Sequence, residues 1–293
     1  MAFKNILVPT DFSQFSNKAV ECALYFAEKY HAKITLLHSI LLFQEEGNDA
    51  SQLEAYERFV KERETEIEHK MNIHFQSAKK RGVDIASKVL RGFSAADTIL
   101  EHLGEDDYDL IVMGTHGRTG IKKWVYGSVA EKIVRFSRAP VLTTHAFENN
   151  YSIQKILAPV DFSDHSRKAV QYAKNLAKDF KAQLIFLHTI FNEFQPAYFA
   201  TGTEAILPLD PELKKRSSKK LEEFVGDVDH ATFVVTEGLA YQSIVNLAED
   251  DGVDLVVMAT RGLTGLDHFL IGSTTERVVR LSKSPVLTIE RDK

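Results

Sequence analysis

The sequence is poor in cysteine, in long apolar runs and in excess positive charge, and each shortage excludes a class of protein. A single cysteine, Cys22, stands among 293 residues, which excludes an internal disulfide framework and a cysteine-based zinc site. Cys22 lies on an apolar face of a predicted helix, so we expect it to be a small buried side chain without a redox role.

The other two shortages bear on location and partners. No stretch approaches the roughly 20 apolar residues of a membrane span, and the opening residues MAFKNILVPTD lack the pattern of a signal peptide. The formal charge of -5 argues against a nucleic-acid partner, because phosphate backbones bind to basic surfaces. We therefore predict a cytoplasmic protein that acts without a membrane or a nucleic acid.

What the sequence does contain is a long internal repeat. ILVPTDFSQFSNKAV (6–20) returns as ILAPVDFSDHSRKAV (156–170), and DLIVMGTHGRTG (109–120) returns as DLVVMATRGLTG (254–265). A repeat of this length indicates a duplicated domain rather than a short structural unit. We place the domains at residues 1–148 and 152–293, with the boundary in the polar stretch FENNYSIQ.

Each half alternates strand-like and helix-like segments. Apolar runs such as LIVM and LVVM are typical of parallel strands covered on both faces, and amphipathic segments separate them. Alternation of this kind predicts an α/β fold: two tandem doubly wound domains, each a five-stranded parallel sheet with helices on both faces. In such sheets ligands bind beyond the carboxyl ends of the strands, where the winding direction reverses.

A proline and an aspartate follow the first strand in both halves. They are Pro9 and Asp11 in VPTDFS, and Pro159 and Asp161 in APVDFS. An aspartate at this place can accept hydrogen bonds from ribose hydroxyls or an adenine amine. It can equally cap the helix that follows, and the residues alone leave both interpretations open.

The fourth strand is followed by the glycine-rich stretch GTHGRTGIKKWVYGSV (114–129). Glycine allows positive φ and close approach of the backbone to a ligand. Successive N–H groups and a helix N-terminus can then bind an anion. The same residues fit a capping box in both halves, with Ser128 and Ser273 as N-caps and Glu131 and Glu276 reaching back.

Several better-known site patterns are absent from the sequence. It has no G-x-x-x-x-G-K-[ST] loop, no G-x-G-x-x-G after the first strand, no G-x-S-x-G and no H-E-x-x-H. We interpret His38 and His188, near the end of the second strand of each half, as hydrogen-bonded structural histidines. The residue of the second half that is equivalent to His116 is Arg261. This difference argues against an acid–base role that both halves share.

The spacing G-2x-G-9x-G-[ST] is satisfied by Gly114, Gly117, Gly127 and Ser128. With the aspartate upstream, this pattern resembles the universal stress protein family, and the whole chain resembles its tandem members. The resemblance implies a Rossmann-like, flavodoxin-like fold of the adenine-nucleotide-binding type. The ATP-binding residues that it implies in the first half are Pro9, Asp11, Ser39, Gly114, His116, Gly117, Gly127, Ser128 and Val129.

The second half departs from the pattern at its first motif glycine, which is Ala259. A methyl group at a point of close backbone approach hinders a ligand, or is tolerated if φ is negative there, so binding in this half stays open. The residues of this second candidate site are Pro159, Asp161, Thr189, Ala259, Arg261, Gly262, Gly272, Ser273 and Thr274.

The resemblance implies a stress-response protein that binds ATP, ADP or AMP, with or without Mg²⁺, as a regulatory or interaction module. Two alternatives stay open: a slow ATP-hydrolysing enzyme, and an interaction protein with a vestigial nucleotide site. No catalytic residue and no metal site formed by protein alone is assigned, and the protein partner is unknown. The fifth strands, PVLTTH and PVLTIE, resemble those through which family members pair, so we expect the two domains to pair within the chain, with a homodimer also permitted.

Overall fold

The computed structural model of the chain describes residues 3–42, 50–115, 127–145, 151–190, 211–260 and 271–290. The chain divides into two compact units, Ala2–Asn149 and Asn150–Lys293, with Met1 grouped with the second.

Strands and helices alternate through the first unit, as the sequence pattern predicts. The elements are β1 (Asn5–Pro9), α1 (Gln14–Tyr30), β2 (Lys33–Leu41), α2 (Ala50–Lys80), β3 (Ile85–Gly92), α3 (Ala95–Glu105), β4 (Leu110–Gly114), α4 (Ser128–Phe136) and β5 (Val141–Thr144).

The second unit repeats this order. Its elements are β6 (Lys155–Pro159), α5 (Asp164–Phe180), β7 (Gln183–Ile190), α6 (Pro211–Val225), β8 (Ala231–Glu237), α7 (Ala240–Asp250), β9 (Leu255–Ala259), α8 (Ser273–Leu281) and β10 (Val286–Ile289).

Both sheets are parallel and doubly wound. The strand order is β3-β2-β1-β4-β5 in the first unit and β8-β7-β6-β9-β10 in the second. The chain moves outward from β1 to β3 and then returns to the other side of β1 with β4. The winding direction therefore reverses between β1 and β4, and between β6 and β9, which is where such folds bind ligands.

The central strands form the core of each unit. All side chains from Leu110 to Met113 and from Leu255 to Met258 are buried, as predicted for strands covered on both faces. The predicted burial of Cys22 is confirmed, and burial raises the pKa of its thiol. A neutral buried thiol is a poor nucleophile, in keeping with a packing role.

Local residue chemistry accounts for the ends of the long helices that follow β1 and β6. Helix α1 begins after Ser13, whose Oγ accepts a hydrogen bond from Ser16 N at 3.2 Å. It ends at His31, which adopts the left-handed conformation with φ of 54°. Helix α5 repeats both features at Ser163 and Lys181. The repeat thus preserves the N-cap as well as the buried face.

A polar cluster around the buried His102, at the end of α3, distinguishes the first unit from the second. His102 is only 1% exposed, and its Nε2 lies 2.8 Å from Tyr108 Oη while its Nδ1 lies 3.3 Å from Lys88 Nζ. Burial lowers the pKa of His102 and Lys88 lowers it further, whereas Asp106 and Glu105 act in the opposite direction. Across the repeat, Leu247 and Val253 stand where the first unit has His102 and Tyr108.

Because of this cluster, we expect the folded chain to lose stability as the pH falls. The pKa of His102 is lower in the folded chain than its ordinary value of 6.5, so the unfolded chain binds more protons as the pH falls below that value. Folding free energy is therefore lost from about pH 6.5 downward, by at most about 1.4 kcal/mol per pH unit for one histidine. Denaturant unfolding of the double variant His102→Leu/Tyr108→Val, at pH 8 and at pH 5, should show a smaller pH dependence than the wild type.

Two half-buried histidines also contribute to the pH dependence of stability. Burial also lowers the pKa of His74 and His188, so the double variant retains part of the wild-type dependence. Replacement of the exposed His69 by glutamine serves as the control and should leave the dependence unchanged. A double variant with the full wild-type dependence would contradict this role for His102.

Candidate functional site

A cavity lies at the winding reversal of the first unit. It is bounded by the carboxyl ends of β1, β2 and β4 and by the first turns of α3 and α4. Every described residue of the first predicted set lines it: Pro9, Asp11, Ser39, Gly114, Gly127, Ser128 and Val129. His116 and Gly117 lie outside the described residues.

The second unit has a cavity at the equivalent place. Every described residue of the second predicted set lines it: Pro159, Asp161, Thr189, Ala259, Gly272, Ser273 and Thr274. Arg261 and Gly262 lie outside the described residues. In each half, residues from four separate stretches of sequence meet at one place.

Both aspartates hold the turn between the first strand and the first helix. Asp11 Oδ1 accepts a hydrogen bond from Ser13 N at 3.0 Å. Asp161 Oδ1 accepts from Ser163 N at 2.9 Å and from Ser163 Oγ at 2.6 Å. The cap itself is the serine in each half, so the alternative in which the aspartate is the N-cap is wrong.

The residue after each aspartate combines an uncommon backbone conformation with a ring-to-ring contact. Phe12 and Phe162 have φ of 62° and 66°, a region that bulky side chains rarely adopt. The Phe12 ring lies 4.9 Å from the His38 ring, and the Phe162 ring lies 4.3 Å from the His188 ring, between centroids. The same strained turn and ring pair occur in both halves, so the position of each aspartate is strongly determined.

The histidines of these ring pairs, His38 and His188, have the structural hydrogen bonds predicted for them. His38 Nδ1 donates to the Thr10 carbonyl oxygen at 2.7 Å, and His188 Nδ1 donates to the Val160 carbonyl oxygen at 2.8 Å. A carbonyl oxygen only accepts, so Nδ1 carries the proton in both rings. Burial lowers the pKa of His188, and the nearby Lys220 adds to that effect.

Gly114 packs too closely against a helix for a side chain. A Cβ built on Gly114 would lie 2.9 Å from the carbonyl carbon and oxygen of Phe15, in the first turn of α1. Its φ lies outside the left-handed region, so the positive φ that glycine allows is not used here. The methyl group of Ala259 is accommodated in the second unit, where the side chain is 8% exposed.

The predicted capping boxes are wrong in both halves. The N-cap of α4 is Gly127 and that of α8 is Gly272, so Ser128 and Ser273 are the first helical residues. Glycine has no side chain, so neither helix has a side-chain hydrogen bond from its N-cap. Gly127 and Gly272 also have ordinary negative φ values of -65° and -63°.

The free N–H groups at the site belong to the helix start. Gly127 N donates to the Thr115 carbonyl oxygen at 2.8 Å, and Gly272 N donates to the Thr260 carbonyl oxygen at 2.8 Å. The first bond within α4 runs from Glu131 N to Gly127 O. The N–H groups between them therefore have no partner within the helix, and they stand at the positive end of its dipole.

The hydroxyl at the end of the second strand differs between the halves. Ser39 Oγ is buried and has no hydrogen-bond partner among the described residues, because its neighbour across the strands is Leu90. Thr189 Oγ1 lies 3.3 Å from Thr236 Oγ1, its own cross-strand neighbour. A buried hydroxyl without a partner is energetically costly, so a ligand that bonds to Ser39 offsets that cost in the first cavity.

The sequence reasoning missed the apolar walls of both cavities. They are formed largely by buried strand residues and by the first turns of α3 and α7. Apolar residues one helical turn apart at the start of the third helix, such as Ala95 and Ile99, were the available signal. The missed lining residues include Thr10, Ile99, Met113, Thr115 and Ala130 in the first cavity, and Leu239, Tyr241, Ile244, Met258 and Arg277 in the second.

Within the described ranges, no group of three or more His, Cys, Asp or Glu side chains is placed to hold a metal ion. No helix in those ranges has both the length and the apolarity needed to cross a membrane.

Together, the fold and the cavities define a tandem pair of doubly wound α/β domains, each with a ligand cavity at its winding reversal. The sequence profile of the universal stress protein family matches the chain twice, at residues 2–145 and 152–290. The chain therefore belongs to the universal stress protein family, as a tandem two-domain member.

Individual relatives agree with this assignment. The chain is 35% identical over 153 residues to the universal stress protein MJ0531 of Methanocaldococcus jannaschii, covering 50% of this chain and 86% of that protein. It is 25% identical over 306 residues to the universal stress protein Slr1230 of Synechocystis, covering 97% and 99%. A universal stress protein crystal structure from Archaeoglobus fulgidus shares the fold, with a TM-score of 0.71 at 20% identity over 98% of both chains.

Proposed function

We propose that the first half of the chain binds an adenine nucleotide, in the first place ATP, and that occupancy of this site regulates the protein in a cytoplasmic stress response. The observation that carries the proposal is the first cavity, in which an aspartate, a partnerless buried hydroxyl and a helix N-terminus meet. These three groups match the three parts of a nucleotide.

The chemistry of each group supports one contact. The Asp11 carboxylate accepts hydrogen bonds, and ribose hydroxyls and the adenine amine donate them. Ser39 Oγ is a donor and acceptor that lacks a partner at the end of β2, beside the apolar wall that a planar base requires. The N–H groups at the start of α4 favour phosphate oxygens.

The groups that line the first cavity favour a regulatory role over a catalytic one. The described groups that line the cavity can hold and orient a nucleotide, and the ring of His38, which lines it, already donates its Nδ1 proton to the Thr10 carbonyl. A bound nucleotide shifts a conformational equilibrium only by as much as it favours one state. The protein partner that responds to such a shift stays unidentified. Pairing of the two domains within the chain and formation of a homodimer stay predictions.

The two cavities can be blocked one at a time at matched positions. Ala95 and Ala240 are the first residues of α3 and α7, and each lines its own cavity. We expect Ala95→Trp to remove ATP binding from the first half, because the indole fills the space of the base, and Ala240→Trp to leave that binding intact. Isothermal titration of the full chain with ATP measures both, and circular dichroism confirms that each variant is folded.

The same titrations distinguish the alternatives. A wild-type chain that binds no adenine nucleotide, or a folded Ala95→Trp variant with wild-type stoichiometry and affinity, would overturn the proposal for the first half. A single-turnover assay with the bound ATP should show no hydrolysis faster than that in buffer. Turnover that Ala95→Trp abolishes would instead favour the slow ATPase.

A further inference from the structure

The second cavity has a cationic side chain that the first lacks. Arg277 lies on α8 and lines the cavity, together with Tyr241 on α7. The guanidinium carbon of Arg277 lies 4.7 Å from the centroid of the Tyr241 ring. A guanidinium that stacks on an aromatic face keeps its N–H groups free at its edge, where they can donate to phosphate oxygens.

The equivalent cation of the first half is neutralised. Lys132 occupies the Arg277 position of the repeat, and its Nζ lies 2.5 Å from Asp97 Oδ1. That bond lowers the pKa of the Asp97 carboxyl. Lys132 is not among the described residues that line the first cavity.

The partner that neutralises Lys132 is missing in the second half. The Asp97 position holds Gln242 there, and a neutral amide cannot form an ion pair. Among the described residues no carboxylate forms a salt bridge with Arg277. The guanidinium charge is therefore available to a ligand.

The second cavity is larger than the first and is lined by side chains of opposite charge. Its volume is about 430 Å³, against about 180 Å³ for the first. Asp161 and Arg277 are the described lining residues with full charges, and they belong to separate elements, one after β6 and the other on α8. Ser273 and Thr274, whose N–H groups begin α8, line the same cavity as Arg277.

We propose that Arg277 is a phosphate-binding residue that makes the second cavity selective for nucleotides with a di- or triphosphate chain, through a cationic side chain that the described lining of the first cavity does not have. The inference rests on the proposed function in taking the ligand to be an adenine nucleotide. The phosphate contact itself rests on the free guanidinium of Arg277 and the N–H groups at the start of α8. Tyr241 orients the guanidinium, and Asp161 remains for the hydroxyl end of the ligand.

The test uses the full chain with its first cavity blocked by Ala95→Trp. Isothermal titration with AMP, ADP, ATP and inorganic tripolyphosphate then measures the second cavity. We expect ATP to bind at least about tenfold more tightly than AMP, since one charge-assisted contact supplies about that factor. In the blocked chain, the further change Arg277→Gln should weaken the binding of ATP and tripolyphosphate by about tenfold or more. It should weaken the binding of AMP by less than about threefold.

Two further variants separate the role of Arg277 from general effects. Lys132→Gln is the matched control in the first half and should change none of these affinities in the blocked chain. Arg277→Lys keeps the charge without the planar fork and should fall between the wild type and Arg277→Gln. Equal losses for AMP and ATP, or no loss for either, would overturn the proposal.

The inorganic probe separates this inference from the proposed function. If tripolyphosphate binds the blocked chain in a manner that depends on Arg277 while no adenine nucleotide binds either the blocked or the unblocked chain, the nucleotide function fails and the phosphate contact stands. If no ligand binds either chain, both fail. If the nucleotides bind the blocked chain with affinities that do not depend on Arg277, the inference fails, and ATP titration of the unblocked chain decides the nucleotide function separately.

Discussion

Replacing Gly114 by alanine is expected to lower the free energy of unfolding of the first unit by about 1–3 kcal/mol, the usual cost of overpacking a close contact. The new Cβ would lie 2.9 Å from the carbonyl carbon and oxygen of Phe15. Those atoms are backbone, so relief requires α1 to move. The turn that carries Asp11 immediately precedes α1 and would move with it, so ATP affinity should fall as well. Urea unfolding and ATP titration of the same variant measure the two effects.

The repeat supplies the matched control. Ala259→Gly removes a methyl group from the equivalent position and should cost only about 0.5–1 kcal/mol, through the greater backbone freedom of glycine. A Gly114→Ala variant as stable as the wild type would show that α1 yields without cost. The assignment of this glycine to helix packing would then be wrong.

Replacing Asp11 by asparagine is expected to weaken ATP binding to the first half by about tenfold to a hundredfold. Hydrogen bonds to a charged acceptor contribute about 1.5–3 kcal/mol, and each 1.4 kcal/mol is a factor of about ten in affinity. The asparagine side chain retains an oxygen for the bond from Ser13 N, so the turn and the stability should change little. Titration with ATP in the Ala240→Trp chain isolates the first cavity.

Asp161→Asn is the corresponding change in the second half and should leave the affinity of the first cavity unaltered. Its own turn should also change little, because Asp161 accepts both hydrogen bonds from Ser163 at Oδ1 and asparagine retains an oxygen there. An Asp11→Asn variant that is folded and binds ATP within about twofold of the wild type would remove Asp11 from the nucleotide site.

The sequence pattern predicted the architecture because its signals are local and repeated. Alternation of buried strands with amphipathic helices requires only the side-chain periods of the two structures, and the duplication presents each signal twice. Parallel strands bring their carboxyl ends to one edge of the sheet. For that reason Asp11 and Gly114, which are far apart along the chain, could be placed together from the pattern, whereas Ser39 was assigned to the same site by the family resemblance.

The errors arose where one local pattern permits two geometries. S-V-A-E and S-T-T-E fit a capping box, yet each helix begins one residue earlier than that reading requires, with glycine as the cap. The DFS motif fits an aspartate cap, yet the serine two residues later is the cap. In both cases the helix start depends on where the chain leaves the preceding strand. The motif alone does not specify that position.

What the sequence by itself determined is the duplicated α/β framework, its family and the residues that meet at each winding reversal. What only the tertiary structure decided is how the two cavities differ. Ser39 is opposite Leu90 whereas Thr189 is opposite Thr236; Gly114 faces the backbone of α1; and Lys132 is paired whereas Arg277 lines a cavity. Each difference depends on which side chain a distant segment places opposite a given residue, and contacts of that kind exist only once the strands and helices have packed.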